Sequence, residues 1–191
     1  MKNKVIVVDK QGKEIGYETL NKVHATGTLH RSFAIFIINS KNQLLLQKRS
    51  PHKLHAGNLW SNACTSHPRP GEKTIDAAHR RLREELGISC ELQEAFTFVY
   101  SANYAHEHVK ENEYGHIFIG FCDATPRPNR EEVTAYQWMS LEQLIKDLND
   151  HPKIYAPWLI LGIDSVALYL KNFAKKEPLL AENPTYSHKV I

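Results

Sequence analysis

The stretch of sequence that decides the fold is Ser66–Ile88, which reads SHPRPGEKTIDAAHRRLREELGI. Its first third contains two prolines and ends at Gly71, a composition that is typical of a loop. Beyond the loop, apolar residues recur three and four positions apart, as the buried stripe of a helix requires. Thr74 can cap the start of this helix and Gly87 can end it. The segment therefore predicts a loop followed by an amphipathic helix.

The acidic residues of this segment have a specific spacing. Seven residues separate Glu72 from Arg80, and Glu84, Glu85 and Gly87 follow in register. This pattern resembles the Nudix box, in which a loop and a helix bring several carboxylates together. Such hard oxygen ligands suit Mg²⁺, which also bridges to substrate phosphates. A solvated helix face with an i,i+4 ion pair from an arginine to Glu85 is the alternative, but the full spacing favours the Nudix-type interpretation.

The resemblance to Nudix proteins implies both a fold and a metal ligand. The expected architecture is an α/β Nudix fold, with a mixed sheet sandwiched between helices. A single domain is expected over residues 1–191, with its core at about 5–173 and a C-terminal tail at 178–191. Glu85 is expected to bind a Mg²⁺ ion that bridges to a diphosphate.

Two residues depart from the Nudix pattern. Ser66 stands where the box has its first glycine, and Arg81 stands where it has the glutamate after the first arginine. Nudix hydrolases generally use that glutamate in their metal cluster. A cation in its place weakens the case for pyrophosphate hydrolysis and supplies a hydrogen-bond donor for a diphosphate.

Composition excludes several other functions. The chain has 191 residues, of which 42% are hydrophobic and 24% charged, as in one ordinary globular domain. Its net charge is only +3 and it has no Lys/Arg run, so we expect no nucleic-acid partner. Cys64, Cys90 and Cys122 form no CxxC motif, which fits a reducing compartment. No stretch is apolar enough for a membrane span or a signal peptide, so a cytoplasmic protein is expected.

The rest of the sequence predicts alternating strands and helices. A hairpin is expected where two apolar runs flank the turn at residues 39–42. The predicted strands are Val5–Val8, Phe33–Ile38, Leu44–Gln47, Phe96–Tyr100, Ile117–Cys122 and Tyr136–Met139, and the predicted helices are Leu141–Leu148 and Leu159–Phe173. This irregular alternation indicates α/β layers around a mixed sheet.

A second group of chemically active residues lies outside the box. Alternation along a strand would put Glu111 and Glu113 on one face. Imidazoles added to these carboxylates would make a mixed nitrogen and oxygen site suited to Zn²⁺, Mn²⁺ or Fe²⁺. The chain has eleven histidines, most of which must be structural or solvated. We expect His52, His55, His106, His108 and His116 to be structural or solvated rather than metal ligands.

The chain as a whole resembles the type 1 isopentenyl-diphosphate isomerases, from Val5 to about Phe173. The matching segments are Leu29–Phe33, Gln43–Arg49, Leu59–Asn62, Ser66–Pro68, Glu111–Glu113 and Pro157–Trp158. The resemblance implies a soluble enzyme of isoprenoid biosynthesis that converts isopentenyl diphosphate to dimethylallyl diphosphate. Its partner would be this small prenyl diphosphate, and a monomer or weak homo-oligomer is expected.

The same resemblance assigns roles residue by residue. It implies that a second divalent ion, Mn²⁺ or Zn²⁺, is bound by His24, His30, His67, Glu111 and Glu113. The basic residues around the diphosphate would be Lys22, Arg49, Lys53 and Arg81. Trp158 would face the prenyl tail, or be a core tryptophan, or both. Glu113 would supply a proton to the alkene with help from Tyr100, and an indole face can stabilise the resulting cation.

One position departs from the isomerase pattern. The family places a catalytic cysteine directly before the (Ser/Gly)-His-Pro unit, but here that residue is Thr65 and the cysteine lies one place earlier, at Cys64. A threonine hydroxyl accepts protons less readily than a thiolate, and neighbouring side chains of an extended chain point to opposite faces. Three accounts stay open. The loop aims Cys64 inward, Thr65 works through water, or the protein is slow or uses another substrate.

Two further functions stay open beside isomerisation. A Nudix-type diphosphohydrolase would act on a prenyl or nucleoside diphosphate, although Arg81 and the histidine–glutamate set count against it. A non-catalytic binder of prenyl diphosphates is suggested by Thr65 alone.

Overall fold

The protein is described by a computed structural model that covers residues 3–104, 109–175 and 186–190. The strands are β1 Lys4–Val8, β2 Glu14–Thr19, β3 His30–Ile38, β4 Gln43–Arg49, β5 Trp60–Asn62, β6 Cys64–Ser66, β7 Gln93–Tyr104, β8 Val109–Phe121, β9 Val133–Ser140 and β10 Tyr186–Val190. The helices are α1 Leu20–Thr26, α2 Thr74–Leu86, α3 Leu141–Asp150 and α4 Pro157–Lys175, with a 3-10 turn at Pro152–Ile154. Every strand and helix predicted from the sequence is present, and the longer ones extend beyond their predicted bounds.

The strands form one mixed sheet that is centred on β3. Strand β8 runs parallel to β3 over the whole length of β3, from His30 beside Glu113 to Ile38 beside Phe121. The other edge of β3 is shared in turn by β1, β6 and β4, all of which are antiparallel to it. The predicted hairpin therefore forms, but its strands separate after Ile38 and Leu44, because β4 leaves to pair with β5 and β9.

Helices cover both faces of the sheet. On one face, α2 buries Ala78, Leu82 and Leu86 against Phe33 and Ile35 of β3. On the other face, α3 and α4 cover a second apolar cluster that includes buried residues of β3, β4 and β8. Residues that alternate along β3 contribute to opposite clusters, as strand geometry requires. The predicted α/β sandwich is confirmed.

The predicted cap of α2 is wrong at one end and right at the other. Thr74 is the first helical residue, and the preceding Lys73 occupies the cap position without a side-chain hydrogen bond. Gly87 ends the helix in the left-handed conformation, with φ of 64°, and its N–H donates to the carbonyl oxygen of Arg83. A side-chain cap occurs instead on α3, where Ser140 and Gln143 form a reciprocal capping box.

Two sequence-based expectations cannot be compared fully with this fold. The C-terminal tail at 178–191 lies outside the described residues except for β10, which pairs in parallel with β7. His106 and His108 also lie outside the described residues. Among the helices that are described, none is long and apolar enough to cross a membrane.

Candidate active site

Four side chains from four different elements converge at one end of β3. His24 comes from α1, His30 from the start of β3, His67 from the loop after β6, and Glu113 from β8. One ligand atom from each lies within 4.8 Å of the others. The Nε2 atoms of His67 and His30 lie 2.9 Å and 3.6 Å from Glu113 Oε1. Glu111 joins the group through His24, whose Nε2 is 3.4 Å from Glu111 Oε2.

The cluster has the donor set and the unmet bonding capacity of a cation site. His24 Nε2, His30 Nε2 and Glu111 Oε2 are buried and have no hydrogen-bond partner within the described part of the chain. An unpaired buried polar atom is costly, so three of them at one point need a shared partner. Imidazole nitrogens and carboxylate oxygens are joint ligands of Zn²⁺, Mn²⁺ and Fe²⁺. His24, His30, His67 and Glu113 could therefore hold a divalent metal ion, and Glu111 forms a second, overlapping group with His24 and His55.

Burial and neighbouring charges shift the ionisation of the groups in this cluster in different directions. Burial raises the pKa of Glu111 to about 8, and the nearby charge of Glu113 adds to the effect. Burial alone would also raise the pKa of Glu113, but His30 and His67 outweigh it and hold that pKa well below its usual value. Burial lowers the pKa of His24 to about 4, with a smaller contribution from His30. Neutral imidazole is the form that binds metals.

A narrow cavity begins at this cluster and extends into the layer beneath α4. Its walls include Glu113, Tyr100, Thr65 and Trp158, together with apolar residues of β3 and β8. Tyr100 donates a hydrogen bond of 2.7 Å from Oη to Glu113 Oε2. Thr65 donates from Oγ1 to Oδ1 of Asn62, at 2.9 Å. A carboxyl group, a phenol, a hydroxyl and an indole thus line one largely apolar space.

Trp158 is both a wall of this cavity and a core residue. Its ring is only 7% exposed, and its Nε1 donates to Ser61 Oγ at 2.9 Å. The guanidinium of Arg49 lies 4.9 Å from the centre of the indole ring. Both alternatives offered for this tryptophan are compatible with its position.

Cys64 does not reach this cavity, which corrects the first account of the missing family cysteine. Strand β6 pairs with β3 so that Thr65 lies beside Ala34 and Cys64 beside Ile35. Because adjacent side chains of a strand point to opposite faces, Thr65 faces the α4 side. Cys64 is fully buried in the apolar cluster beneath α2. Burial, and next the charge of Glu85, raises the pKa of its thiol well above the usual value.

A second cluster of charges surrounds Glu85 on the α2 side. This carboxylate is fully buried and accepts hydrogen bonds from Gln47, Lys53 and Arg81, at 2.9, 3.0 and 2.5 Å. Arg81 also reaches Glu132, at 3.1 Å, and Lys53 pairs with the same glutamate. The i,i+4 ion pair considered from the sequence is therefore present. It is buried rather than solvated, and it belongs to a larger network in which Lys53 and Arg81 both contact Glu85 and Glu132. Mg²⁺ could take the place of one of these two basic side chains.

The four predicted basic residues do not all meet. Lys53 and Arg81 share Glu85, whereas Arg49 lies between Trp158 and the carbonyl oxygen of His55, to which its Nη2 donates at 2.9 Å. Lys22 is set apart from them. Its side chain is 64% exposed on α1, where its ammonium pairs with Glu18 at 2.6 Å.

Sequence reasoning missed His55 and Glu132. His55 was assigned to the solvated or structural histidines, but its Nε2 lies 2.7 Å from His24 Nδ1. Glu132 carries no motif and joins Lys53 and Arg81 only through the fold. The basic residue Lys53 lies two positions before His55, which was the one local hint that this loop belongs to the site.

Comparisons with known proteins identify the family of the chain. The model of the NUDIX domain matches residues 28–159. The chain is 48% identical to isopentenyl-diphosphate Delta-isomerase 1 of Aromatoleum aromaticum over 87% of its length and 93% of that protein. It is 38% identical to isopentenyl-diphosphate Delta-isomerase of Pectobacterium atrosepticum, over 91% and 96% of the two chains.

Solved structures support the fold independently. Protein DR0079 of Deinococcus radiodurans superposes with a TM-score of 0.71 at 18% identity, over 85% of this chain and 98% of that one. The MutT protein of Methanosarcina mazei gives 0.60 at 20% identity, over 76% and 95%. These two similarities show the fold alone. Taken with the sequence relatives, they establish that the chain belongs to the Nudix superfamily and, within it, to the isopentenyl-diphosphate Delta-isomerase family.

Proposed function

We propose that the protein is an enzyme that isomerises isopentenyl diphosphate to dimethylallyl diphosphate. The observation that carries the proposal is the cavity in which Glu113, Tyr100, Thr65 and Trp158 share one apolar space beside the histidine–glutamate cluster. The walls are largely apolar, as a prenyl group requires, and they carry the proton donors and acceptors that the reaction needs. The space itself measures about 10 Å³, the room of one water molecule, so the walls must move apart to admit a five-carbon group.

Glu113 is the group we assign to protonation. Because its pKa is held well below the usual value, the carboxyl group is ionised at rest and must first receive a proton. Its Oε2 accepts the Tyr100 hydroxyl at 2.7 Å, and this hydrogen bond places a proton at the cavity wall. Transfer of that proton to the terminal carbon of the alkene leaves a tertiary carbocation. A divalent ion bound by the five clustered residues would supply Lewis-acid polarisation of this carboxyl group. The Trp158 ring provides a π face that favours the cation.

Thr65 is the group we assign to the second half of the reaction. A proton next to a tertiary carbocation is strongly acidic, so a weak base is enough to remove it. The Thr65 hydroxyl donates to Asn62 Oδ1, which leaves its oxygen lone pairs able to hold a water molecule at the cavity. The proton lost from carbon 2 would pass to that water, and the electron pair of the broken C–H bond would form the new double bond.

Lys53, Arg81 and Glu85 are the residues we assign to the diphosphate. Two cations and a buried carboxylate already meet there, and Glu85 would hold a Mg²⁺ ion, which would neutralise charge on the diphosphate. We assign Mn²⁺ or Zn²⁺ to the histidine site because of its nitrogen-rich donors. We further propose a cytoplasmic monomer or weak homo-oligomer that binds no nucleic acid.

One incubation tests the function. Purified protein is mixed with isopentenyl diphosphate, Mg²⁺ and Mn²⁺ in D₂O, and products are followed by NMR. Dimethylallyl diphosphate carrying deuterium in a methyl group is the expected result. Release of phosphate would indicate a diphosphohydrolase. Binding of the substrate without turnover would indicate a prenyl diphosphate binder.

A further inference from the structure

One histidine beside the metal cluster has not been given a role. His55 lies in the loop between β4 and β5, and its Nε2 is 2.7 Å from Nδ1 of His24. The two rings meet edge to face, with their centres 4.5 Å apart. The contact is short and at least one of the two nitrogens must carry a proton, so it is a hydrogen bond with a defined direction.

The direction of that hydrogen bond follows from the second ring nitrogen of His24, Nε2. His24 Nε2 points at Glu111 Oε2 from 3.4 Å and has no hydrogen-bond partner in the described part of the chain. An imidazole that binds a metal through Nε2 must keep the lone pair there, so its proton sits on Nδ1. His24 therefore donates from Nδ1 and His55 accepts at Nε2, an arrangement that fixes tautomer and ring orientation together.

His55 is itself held in place. Arg49 donates from Nη2 and Nε to the backbone carbonyl oxygen of His55, at 2.9 and 3.3 Å. Two residues earlier in the same loop, Lys53 pairs with Glu85 at 3.0 Å. The loop is therefore held at both clusters, by His55 beside His24 and by Lys53 beside Glu85, and only two peptide units separate the two contacts.

We propose that His55 is a positioning residue for the metal centre, which orients His24 and ties it to the loop that carries Lys53. The inference rests on the proposed metal site, because it assigns His24 as a ligand. It adds a residue that accepts a hydrogen bond from the one ring N–H of that ligand, at Nδ1. Loss of such a partner typically weakens metal affinity by about 10- to 100-fold.

The test measures binding of Mn²⁺ to the full-length protein by electron paramagnetic resonance, without substrate or turnover. His55→Ala should weaken Mn²⁺ binding by about 10- to 100-fold. His55→Gln should recover most of the loss, because its amide oxygen can still accept from His24 Nδ1. His52→Ala is the matched control, since His52 is exposed in the same loop and should bind Mn²⁺ like the wild type.

His24→Ala separates this inference from the metal site itself. If His24→Ala weakens Mn²⁺ binding while His55→Ala stays within about twofold of the wild type, far below the loss expected for such a partner, His55 has no positioning role. If neither variant changes binding, the metal site and the inference both fail. Should His55→Ala not fold, as judged by circular dichroism, the decision passes to His55→Phe and His55→Gln. Equal affinity in those two would overturn the proposal, because phenylalanine accepts no hydrogen bond.

Discussion

Two adjacent substitutions on β6, Thr65→Val and Cys64→Ala, should have opposite consequences. Thr65 lines the cavity with Glu113, whereas Cys64 is buried beneath α2 on the other face of the sheet. Valine has the shape of threonine but lacks the hydroxyl, so Thr65→Val removes the proposed site for the proton-accepting water. We expect kcat to fall by about 10²-fold, the usual scale for losing a positioned acid–base group.

Both substitutions should lower the free energy of unfolding, Cys64→Ala somewhat more than Thr65→Val. Thr65→Val loses one hydrogen bond to Asn62, but Ser61 still donates to the same oxygen at 3.0 Å. The net loss should be about 0.5–1.5 kcal/mol. Cys64→Ala removes a fully buried sulfur from a packed cluster, which should cost roughly 1–2 kcal/mol through lost burial and the cavity left behind. Its kcat, per folded molecule, should stay close to that of the wild type.

The assay combines steady-state isomerase rates with thermal unfolding of each variant. For a chain of this length, 1 kcal/mol corresponds to about 2–4 °C in Tm. Thr65→Cys is the informative third variant, because it places a thiol in the cavity and should equal or exceed the wild-type rate. A Cys64→Ala protein that is folded but has lost 10²-fold in kcat would refute this assignment of the two faces.

Three further changes probe the rest of the site. Tyr100→Phe removes the hydrogen bond to Glu113 and should lower kcat by about tenfold, measured against an unchanged far-UV spectrum; an unaltered kcat would remove Tyr100 from the proton path. Arg81→Lys replaces the forked guanidinium group, which contacts three glutamates, by a single ammonium group. KM for isopentenyl diphosphate should therefore rise by roughly tenfold, and an unchanged KM would mean that Arg81 has only a structural role. Lys22→Ala should change KM by less than about twofold, because this lysine is exposed and pairs with Glu18; a larger rise would return it to the diphosphate site.

The fold could be predicted largely because its signals are local. Helix α2 has its apolar stripe, its glycine end and its acidic spacing within one short segment. Strand β8 alternates buried and partly exposed side chains around Glu111 and Glu113, which is why the two carboxylates could be assigned to one face in advance. The error at Thr74 is of the kind expected at helix ends, where a cap depends on one side-chain torsion rather than on a repeating pattern.

The candidate site could be predicted only where a motif marked it. Strand alternation predicted that Thr65 and Cys64 point to opposite faces. Rejecting the first of the three accounts needed the partner strand, because pairing with Ala34 and Ile35 decides which of the two residues faces the cavity. Glu132 carries no local signal, since it meets Lys53 and Arg81 through a turn of the chain that sequence spacing does not encode.

The arrangement of charges also explains why this Nudix box suits isomerisation better than hydrolysis. Two of its acidic residues are committed to ion pairs, Glu72 with Arg80 at 2.7 Å and Glu84 with Arg81 at 2.7 Å. Among the acidic residues of the box, only Glu85 is buried, and it already pairs with the two cations Lys53 and Arg81. Arg81 stands where the Nudix box has a glutamate, so the cluster around Glu85 has one carboxylate fewer and one cation more than a hydrolytic centre, and the proposed function predicts that it binds a diphosphate. Glu113 lies on the wall of the apolar cavity, and Glu111, whose Oε2 has no hydrogen-bond partner among the described residues, lies beside the same histidines.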